Sequence, residues 1–417
     1  MRYGLIGEKL GHSFSKIIHE QLADYTYDLI PLSKEEFPDF MQKRPFSAIN
    51  VTIPYKEAVI PYLYQIEEAA KKIGAVNTIV NRNGQLYGYN TDYFGFRYML
   101  EQHKIAVQNK KVLILGNGGA TKAVYAVLQD MGASEILKVY YKQAPDTISY
   151  DCCYTTHTDA QIIVNTTPVG MYPNIGKSPI QVSKFPKLQT VVDVVYNPLR
   201  TSFLLEGQAC GCTCIGGLEM LVAQAKYAVE IFLDKKIEND AIQQLVQNII
   251  QSRSNLVLIG MSGCGKSTIG AAVAKRLNKT FVDTDACILE KIKMSIADYF
   301  AKYGEAAFRD IEQEVIAELS GQNDLVISTG GGVVVREENI WQLKQNGFVV
   351  WLRRDPAFLE SGNGRPLVPN AEAAKQLYQT RIPLYTNAAE TVIDNDADIE
   401  TIATAVVEAY RKQSHFC

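Results

Sequence analysis

Gly260, Gly265, Lys266 and Ser267 stand in the spacing G-x-x-x-x-G-K-S, directly after the apolar run NLVLI. In such a turn backbone N–H groups surround phosphates, the lysine reaches the terminal phosphates, and the hydroxyl ligates Mg²⁺. This predicts phosphoryl transfer from ATP, with Gly263, Cys264, Gly265, Lys266, Ser267 and Thr268 around the nucleotide. A glycine-rich turn with an incidental Lys-Ser explains neither the spacing nor the place after a strand. A second set of residues carries different chemistry. Lys56 and Asp92 form a candidate proton-transfer pair, because a lysine beside a carboxylate can exchange a proton with a hydroxyl during hydride transfer. On spacing alone, capping a loop is the commoner role for each.

A second glycine turn, GNGGA at 116–120, follows the strand-like VLIL and opens a helix-like stretch. Glycines there let backbone N–H groups approach a pyrophosphate at a helix N-terminus. Gly116 and Gly118 match the first two glycines of G-x-G-x-x-G, but the third position is Thr121, so a tight turn is the competing reading. An NAD site usually places an acid about 20 residues further on. Here that strand ends VYYKQ, without an acid. Lys142 either meets a 2′-phosphate, which favours NADP, or is a solvated lysine after a strand.

Other polar residues collect at strand ends. Ser13, Ser15, Asn50, Thr52, Asn77 and Asp92 form a set with few formal charges, suited to a polyhydroxylated small molecule. In the last third, alternation puts Asp283 and Asp285 on one face of a strand end. One can order a magnesium water while the other binds a substrate hydroxyl, or the pair can cap the next helix. Arg309, Arg365 and Arg381 are cations available to anionic ligands, or ordinary surface residues. Gly330, Gly331 and Gly332 follow LVIST and let backbone come close to a ligand ring. SGNGRPLVP, residues 361–369, has the glycine flexibility of a closing lid.

These residues need strands and helices to position them, and the pattern supplies an α/β chain. The first hundred residues alternate short apolar runs (YGLI, AINVTI, AVNTIV) with helical stretches such as 57–72, which predicts an open α/β lobe. A second βα series runs from Val112: VLIL, a helix near 120–131, a strand near 136–141, then QIIVN, TVVDVVY and CTCIGG. A helical stretch over 218–251 follows, and the polar QSRSN at 251–255 is the candidate linker. A third α/β unit starts at Asn255 with VLIG, TFVDTD, LVISTGGGVV, FVVWL and TVIDN.

With 417 residues, more than one core is required. Hydrophobic content of 47% and charged content of 21% fit a soluble globular protein, and a net charge of −3 attracts neither nucleic acid nor an anionic membrane. No apolar run approaches the ~18–20 residues of a membrane span, and the N-terminal residues lack the pattern of a secretion signal. Eight dispersed cysteines predict a reducing cytoplasm rather than a disulfide framework. The C-x-C-x-C of Cys210, Cys212 and Cys214 is not a zinc spacing.

GHSFSK, NVTIPYK, AVNTIV, YNTDYFGF, GNGGA, NTTPVGM, DVVYNPLRTSFL and GGLEMLVAQA resemble, in order, the successive motifs of shikimate dehydrogenase, over roughly residues 1–240. The resemblance implies a substrate lobe over 1–100, rejoined by the helices of 218–250, and a Rossmann-like NADP lobe over 101–217. Lys56 and Asp92 would be the catalytic pair. Ser13, Ser15, Thr52, Asn77, Asp92, Tyr196 and Gln224 would hold shikimate, with Asn50 as nearby support. Gly116, Asn117, Gly118, Gly119, Ala120, Thr166 and Gly217 would line the NADP site, and Met220 would pack near the nicotinamide. Two positions depart from the family. Lys16 stands where proline is usual, and Tyr141-Lys142-Gln143 replaces Asn-Arg-Thr, so a lysine without the arginine fork faces the 2′-phosphate.

GMSGCGKST, FVDTDACIL, YGEAAFRDIE, STGGGVV, GRPLV and RIPLY are similar to the motifs of shikimate kinase, over a P-loop domain at 256–417. By that similarity Asp283 and Ser267 support Mg²⁺. Asp285, Arg309, Gly330–Gly332 and Arg381 hold shikimate, and Arg365 contacts ATP phosphates. An arginine that commonly stacks on adenine is missing, with Leu359-Glu360 in its place, and the lid is short. The combined expectation is a bifunctional enzyme using NADP(H), ATP and Mg²⁺ on 3-dehydroshikimate and shikimate, cytoplasmic, a monomer or homodimer. The alternatives are a non-catalytic shikimate- or quinate-sensing regulator, or a quinate/shikimate dehydrogenase preferring NAD, fused to a kinase.

Overall fold

The computed structural model describes residues 2–10, 14–358 and 371–412. Its first lobe is built on six strands: β1 (Tyr3–Gly7), β2 (Tyr27–Pro31), β3 (Ala48–Val51), β4 (Gln65–Ile66), β5 (Thr78–Arg82) and β6 (Gln85–Tyr89). They lie in the order β2-β1-β3-β5-β6-β4. β1 runs parallel to β2 and β3, whereas β5 is antiparallel to both β3 and β6. Helices α1 (Ser15–Leu22), α2 (Phe37–Lys43) and α3 (Glu68–Ile73) accompany this sheet. The single helix expected over 57–72 is instead a 3₁₀ turn at Ile60–Tyr62, the short β4 and α3. Pro61 donates no backbone hydrogen bond and stops helix propagation there.

Helix α4 (Thr91–Gln102) carries the chain into the second lobe. Six parallel strands form it: β7 (Lys111–Leu115), β8 (Glu135–Val139), β9 (Thr147–Ile148), β10 (Ile162–Asn165), β11 (Thr190–Asp193) and β12 (Thr213–Ile215), ordered β12-β11-β10-β7-β8-β9. Helices α5 (Gly119–Asp130), α6 (Tyr150–Thr156) and α7 (Ser202–Ala209) connect them. The order reverses beside β7, so the C-terminal ends of β7 and β10 open a crevice suited to a dinucleotide. Helix α8 (Leu218–Leu233) then returns against α4 and α1, joining the two lobes. Gly95 permits the α4–α8 approach: a Cβ there would lie 2.7 Å from the Met220 carbonyl oxygen.

Helix α9 (Asp240–Arg253) leads straight into the third sheet. Strands β13 (Asn255–Ile259), β14 (Thr280–Asp283), β15 (Leu325–Ser328), β16 (Gly347–Arg353) and β17 (Thr391–Asp394) are all parallel, in the order β14-β15-β13-β16-β17. Helices α10 (Lys266–Leu277), α11 (Thr284–Ile292), α12 (Ile296–Ser320), α13 (Glu337–Asn346), α14 (Ala371–Ala388) and α15 (Ile399–Arg411) surround it. The segment expected as a linker is structured: Gln251–Arg253 finish α9 and Asn255 begins β13. Ser254 between them is fully buried, with its hydroxyl 2.7 Å from that of Tyr410. One apolar cluster runs from Tyr98 and Leu218 through Ile242 and Ile249 to Leu256 and Val349, across the whole junction.

The seven described cysteines are free. Cys214 sits among the β12 and α7 side chains, where burial pushes its thiol up to about 12. Among the described residues no cluster could hold a metal by His, Cys, Asp or Glu alone, and no helix is long and apolar enough to cross a membrane.

Candidate active sites

Lys56 follows β3 and Asp92 sits in the first turn of α4, whose N-cap Asn90 accepts from Tyr93 N–H. The fold brings them together: Lys56 Nζ donates to Asp92 Oδ2 at 2.6 Å, with both side chains mostly buried. Asn77 Nδ2 donates to the other carboxylate oxygen at 2.9 Å, and Asn77 Oδ1 accepts from Thr91 N–H at 2.7 Å. The carboxylate is therefore held from both sides, by Lys56 on one oxygen and Asn77 on the other. Asn50 is committed to support. It accepts from Tyr27 Oη at 2.7 Å and donates to Thr78 Oγ1 and the Asn77 carbonyl. Tyr27, absent from the sequence reading, thus braces the pair from β2, and a lone tyrosine in YDLIP carries no signal of that.

Gln224 on α8 accepts from Thr91 Oγ1 at 3.3 Å, so it reaches the same network from 133 residues away. Tyr196, after β11, packs its ring on Phe14 at 5.3 Å. Burial raises its phenol above the ordinary range and keeps it a neutral hydrogen-bonding group. Ser15 is buried at the start of α1, and Thr52 sits after β3 with its amide on the Ile6 carbonyl. Ser13 lies outside the described residues. Lys16 does not enter the site; it pairs with Glu20 and donates to the Tyr27 carbonyl.

The GNGGA turn connects β7 to α5 next to this pair. Gly116 has φ +124°, and a Cβ there would lie 2.5 Å from Thr166 Oγ1. Thr166 in turn hydrogen-bonds the Leu115 carbonyl and Thr121 Oγ1, which accepts from Gly118 N–H. No atom within 4 Å would meet a Cβ on Gly118, so the helix entrance is open to a ligand. Gly119 turns toward the other lobe, where its Cβ would lie 3.4 Å from Lys56 Cδ. Gly217, at the opening of α8, is packed onto β11's exit: a Cβ there would overlap Val194. Met220 is buried one turn further on, in the cluster formed by α4, α5 and β7. This cradle fits a dinucleotide, with Asn117 exposed and Ala120 at the first turn of α5. Lys142 is exposed and places its Nζ 5.1 Å from the Tyr141 ring centre. The contact with Tyr141 raises its pKa and keeps it cationic at the edge of the crevice.

The second site grows from β13. Gly260, Gly263 and Gly265 all have positive φ, at +144°, +81° and +93°, so the turn wraps with its N–H groups inward. Lys266 Nζ lies within the loop, donating to the Gly260 and Met261 carbonyls, both at 2.9 Å. Ser267 Oγ donates to Asp283 Oδ2 at 2.6 Å, while Asp283 Oδ1 accepts from Asp285 N–H. Asp283 ends β14 and caps α11, as one reading of the DTD motif expects; Asp285 lies in the first turn of α11 and not beside Asp283 on a strand face, because the chain turns helical at Thr284. Hydroxyl and carboxylate oxygens are the donors Mg²⁺ takes. A cavity of about 530 Å³ joins these groups to Thr268, Asp285, Gly331 and Arg354.

Arg309 and Arg381 are both buried, not surface residues. Arg309 pairs with Glu312 at 2.8 Å and with Glu305 at 3.0 Å, and Arg381 donates to the Gly331 carbonyl at 3.0 Å. The glycines pack tightly here, and a Cβ on Gly331 would lie 2.8 Å from the Ser262 backbone nitrogen. A Cβ on Gly332 would overlap the Arg309 guanidinium, and one on Gly330 would lie 2.8 Å from Asp285 Oδ1. Glu312 and Tyr385 also belong to this group. Tyr385 donates to the Gly331 carbonyl at 2.5 Å. Burial raises the Glu312 carboxyl against the pull of Arg309. The i, i+3 spacing of Arg309 and Glu312 on α12 could have revealed the latter. Arg365, Leu359, Glu360 and the lid segment lie outside the described residues.

Comparison with known proteins divides the chain in the same way. A family model described as the shikimate dehydrogenase substrate binding domain matches residues 5–79, and one described as shikimate kinase matches residues 262–411. A shikimate dehydrogenase (NADP(+)) of Clostridium beijerinckii is 39% identical, over 58% of this chain and 96% of its own length. One from Halothermothrix orenii is 38% identical, over 56% of this chain and 91% of its own. Among solved structures, a chorismate mutase/shikimate 5-dehydrogenase fusion protein from Clostridium acetobutylicum is similar, with 37% identity, TM-score 0.56, and coverage of 59% of this chain and 96% of that one. The shikimate 5-dehydrogenase of Thermus thermophilus, solved with NADP(H) and shikimate, has 28% identity, TM-score 0.54, and coverage of 60% and 99%.

Proposed function

The chain belongs to the shikimate dehydrogenase family and carries a shikimate kinase domain after it, and on that premise we propose which residues perform its two reactions. The enzyme is bifunctional: it reduces 3-dehydroshikimate to shikimate with NADPH, then phosphorylates the shikimate 3-hydroxyl with MgATP. The observation that carries the residue assignment is the Lys56–Asp92 pair at 2.6 Å, lying against the Gly119 end of the dinucleotide cradle.

In the first site Ser13, Ser15, Thr52, Asn77, Tyr196 and Gln224 bind the ring hydroxyls and carboxylate of the substrate. Residues 116–120, Thr166, Gly217 and Met220 would hold NADPH, which would supply hydride to the ketone carbon. Lys56 Nζ gives its proton to the oxygen that becomes the hydroxyl, and Asp92 keeps the ammonium aimed. Lys142 meets the 2′-phosphate as a point charge.

In the second site Asp285 orients the 3-hydroxyl and accepts its proton. Arg309, Arg381 and the Gly330–Gly332 turn hold shikimate, and Glu312 fixes the Arg309 guanidinium. Residues 263–268 would hold the phosphates of MgATP and Ser267 and Asp283 would hold Mg²⁺, with Arg365 assigned to the phosphates by the family resemblance; the bound nucleotide would supply the phosphoryl group. Lys266 leaves its loop carbonyls to offset the charge that develops during transfer.

A coupled assay with 3-dehydroshikimate, NADPH and MgATP tests the assignment. Lys56→Ala should sharply lower NADPH oxidation while ADP release from added shikimate persists, and Lys266→Ala should do the reverse. NADPH oxidation at the wild-type rate in Lys56→Ala would remove that residue from the mechanism. The reading also expects a cytoplasmic protein that is a monomer or homodimer, the oligomeric state being what sedimentation would assign.

A further inference from the structure

The dehydrogenase loop that carries Tyr196 is anchored on the kinase domain. This loop runs from the end of β11 to the start of α7. At its near end Val195 N–H donates to Asp193 Oδ1 at 3.0 Å, and Gly217 N–H donates to the Val195 carbonyl at 3.1 Å. At its far end Thr201 Oγ1 donates to Asp193 Oδ2 at 2.6 Å. Between Tyr196 and Thr201, the amides of Leu199 and Arg200 both donate across the domain boundary, to Asn346 Oδ1 and the Gln345 carbonyl, each at 2.9 Å. Pro198 has no amide to offer.

The Arg200 side chain completes the anchorage. Its Nε donates to the Lys344 carbonyl at 2.8 Å and its Nη2 to the Gly347 carbonyl at 2.7 Å, while Nη1 pairs with Glu390. Arg200 is 4% exposed. Lys344 and Gly347 flank the C-terminal end of α13, where carbonyls lack helical partners and the dipole favours a cation. A rigid guanidinium fork suits three acceptors at once; an ammonium does not. Glu390 is itself fixed, because its Oε2 accepts from Val349 N–H at 2.8 Å and its own amide donates to the Val349 carbonyl. The Glu390 carboxylate that Arg200 meets is therefore itself tied to β16.

We propose that Arg200 is a positioning residue for the dehydrogenase reaction, and that the kinase domain is the surface against which it sets Tyr196 toward substrate. The inference rests on Tyr196 being a substrate-binding group. Steady-state kinetics of the full chain test it. Tyr196 binds substrate without entering the chemistry, so its misplacement raises KM and leaves kcat in place. Arg200→Ala should raise KM for 3-dehydroshikimate about fivefold, the size of one misplaced neutral hydrogen bond. Kinase turnover on added shikimate should hold. Arg200→Lys, which keeps charge but not the fork, should shift KM in the same direction and stands in if the alanine variant does not fold. Tyr196→Phe should raise KM alone, and adding Arg200→Ala to it should raise KM no further. An unchanged KM in both Arg200 variants, beside a raised KM in Tyr196→Phe, overturns the clamp and leaves Tyr196 its role. An unchanged KM in Tyr196→Phe overturns the Tyr196 assignment itself. A lower kcat at constant KM in Arg200→Ala would reduce the residue to general stability.

Discussion

Two glycine turns each join a strand to a helix in this molecule, yet they organise chemistry in different ways. In the turn after β13 three glycines adopt positive φ, and the loop holds its own lysine against its own carbonyls. In the turn after β7 only Gly116 does so, and the nearby lysine, Lys56, comes from another lobe. The phosphate loop is thus a self-contained device, whereas the dinucleotide turn is a cradle whose reactive groups arrive by tertiary folding. A local device is readable from one segment of sequence, and an assembled one is not.

The sharpest way to break this comparison is to remove each lysine. Lys56→Ala should lower dehydrogenase turnover by about 10²–10⁴-fold, the range for a positioned proton donor. Lys266→Ala should lower kinase turnover by about 10²–10³-fold, as for loss of one charge-stabilising donor. Assayed separately, each variant should leave the other activity intact; a drop in both would mean the sites are not independent in their chemistry. Next in size, Gly332→Ala forces a methyl into the Arg309 guanidinium. It should raise the kinase KM for shikimate by about tenfold, as a misplaced charged hydrogen bond implies, with the ATP KM steady. A matching rise in both constants would point to a collapsed domain instead.

Smaller effects refine the contrast at its edges. Lys142→Gln removes an exposed cation at the cofactor crevice. The NADP-over-NAD preference should fall by no more than about fivefold, since solvent screens an exposed ion pair. A collapse of that preference would instead show Lys142 to be strongly engaged with the 2′-phosphate.

His19 concerns stability. It is stacked on Tyr27 at 4.0 Å, its Nδ1 lies 2.7 Å from the Tyr25 hydroxyl, and its Nε2 has no partner among the described residues. Burial lowers its pKa from 6.5 to about 3. Between those values the unfolded chain takes up a proton that the folded chain refuses, so stability is full above 6.5 and declines as pH falls toward 3. The slope approaches about 1.4 kcal/mol per pH unit. In His19→Asn, whose amide oxygen can replace Nδ1, chemical denaturation should show a flatter acid limb; an unchanged limb would assign the sensitivity to the carboxylates.

The sheets of the second lobe and the kinase domain were legible because parallel, doubly covered strands read as continuous apolar runs, such as VLIL and NLVLI. In the first lobe β2 is not legible, since YDLIP mixes polar with apolar residues. Helix 57–72 failed at Pro61, where hydrophobic periodicity outlasted what the backbone could continue. The phosphate loop stands on its own spacing, whereas GNGGA, with Thr121 at the third glycine position, does not. The Lys56–Asp92 pair was visible only as two polar strand-end residues, and its contact needed the fold. Arg200 and Glu390, 190 residues apart, share no motif, so nothing in the one-dimensional pattern joins them.

The passage from α9 to β13 bears on how this protein could be taken apart. Fused enzymes are commonly pictured as beads that a nick in the string would release. Here the string is a buried serine, and Ile249 and Leu256 on either side of it share one interior. Cutting at 254 would strip apolar surface from both products, so neither half is a ready-made reagent. A split version would need a redesigned exterior on each fragment before it could be handled alone.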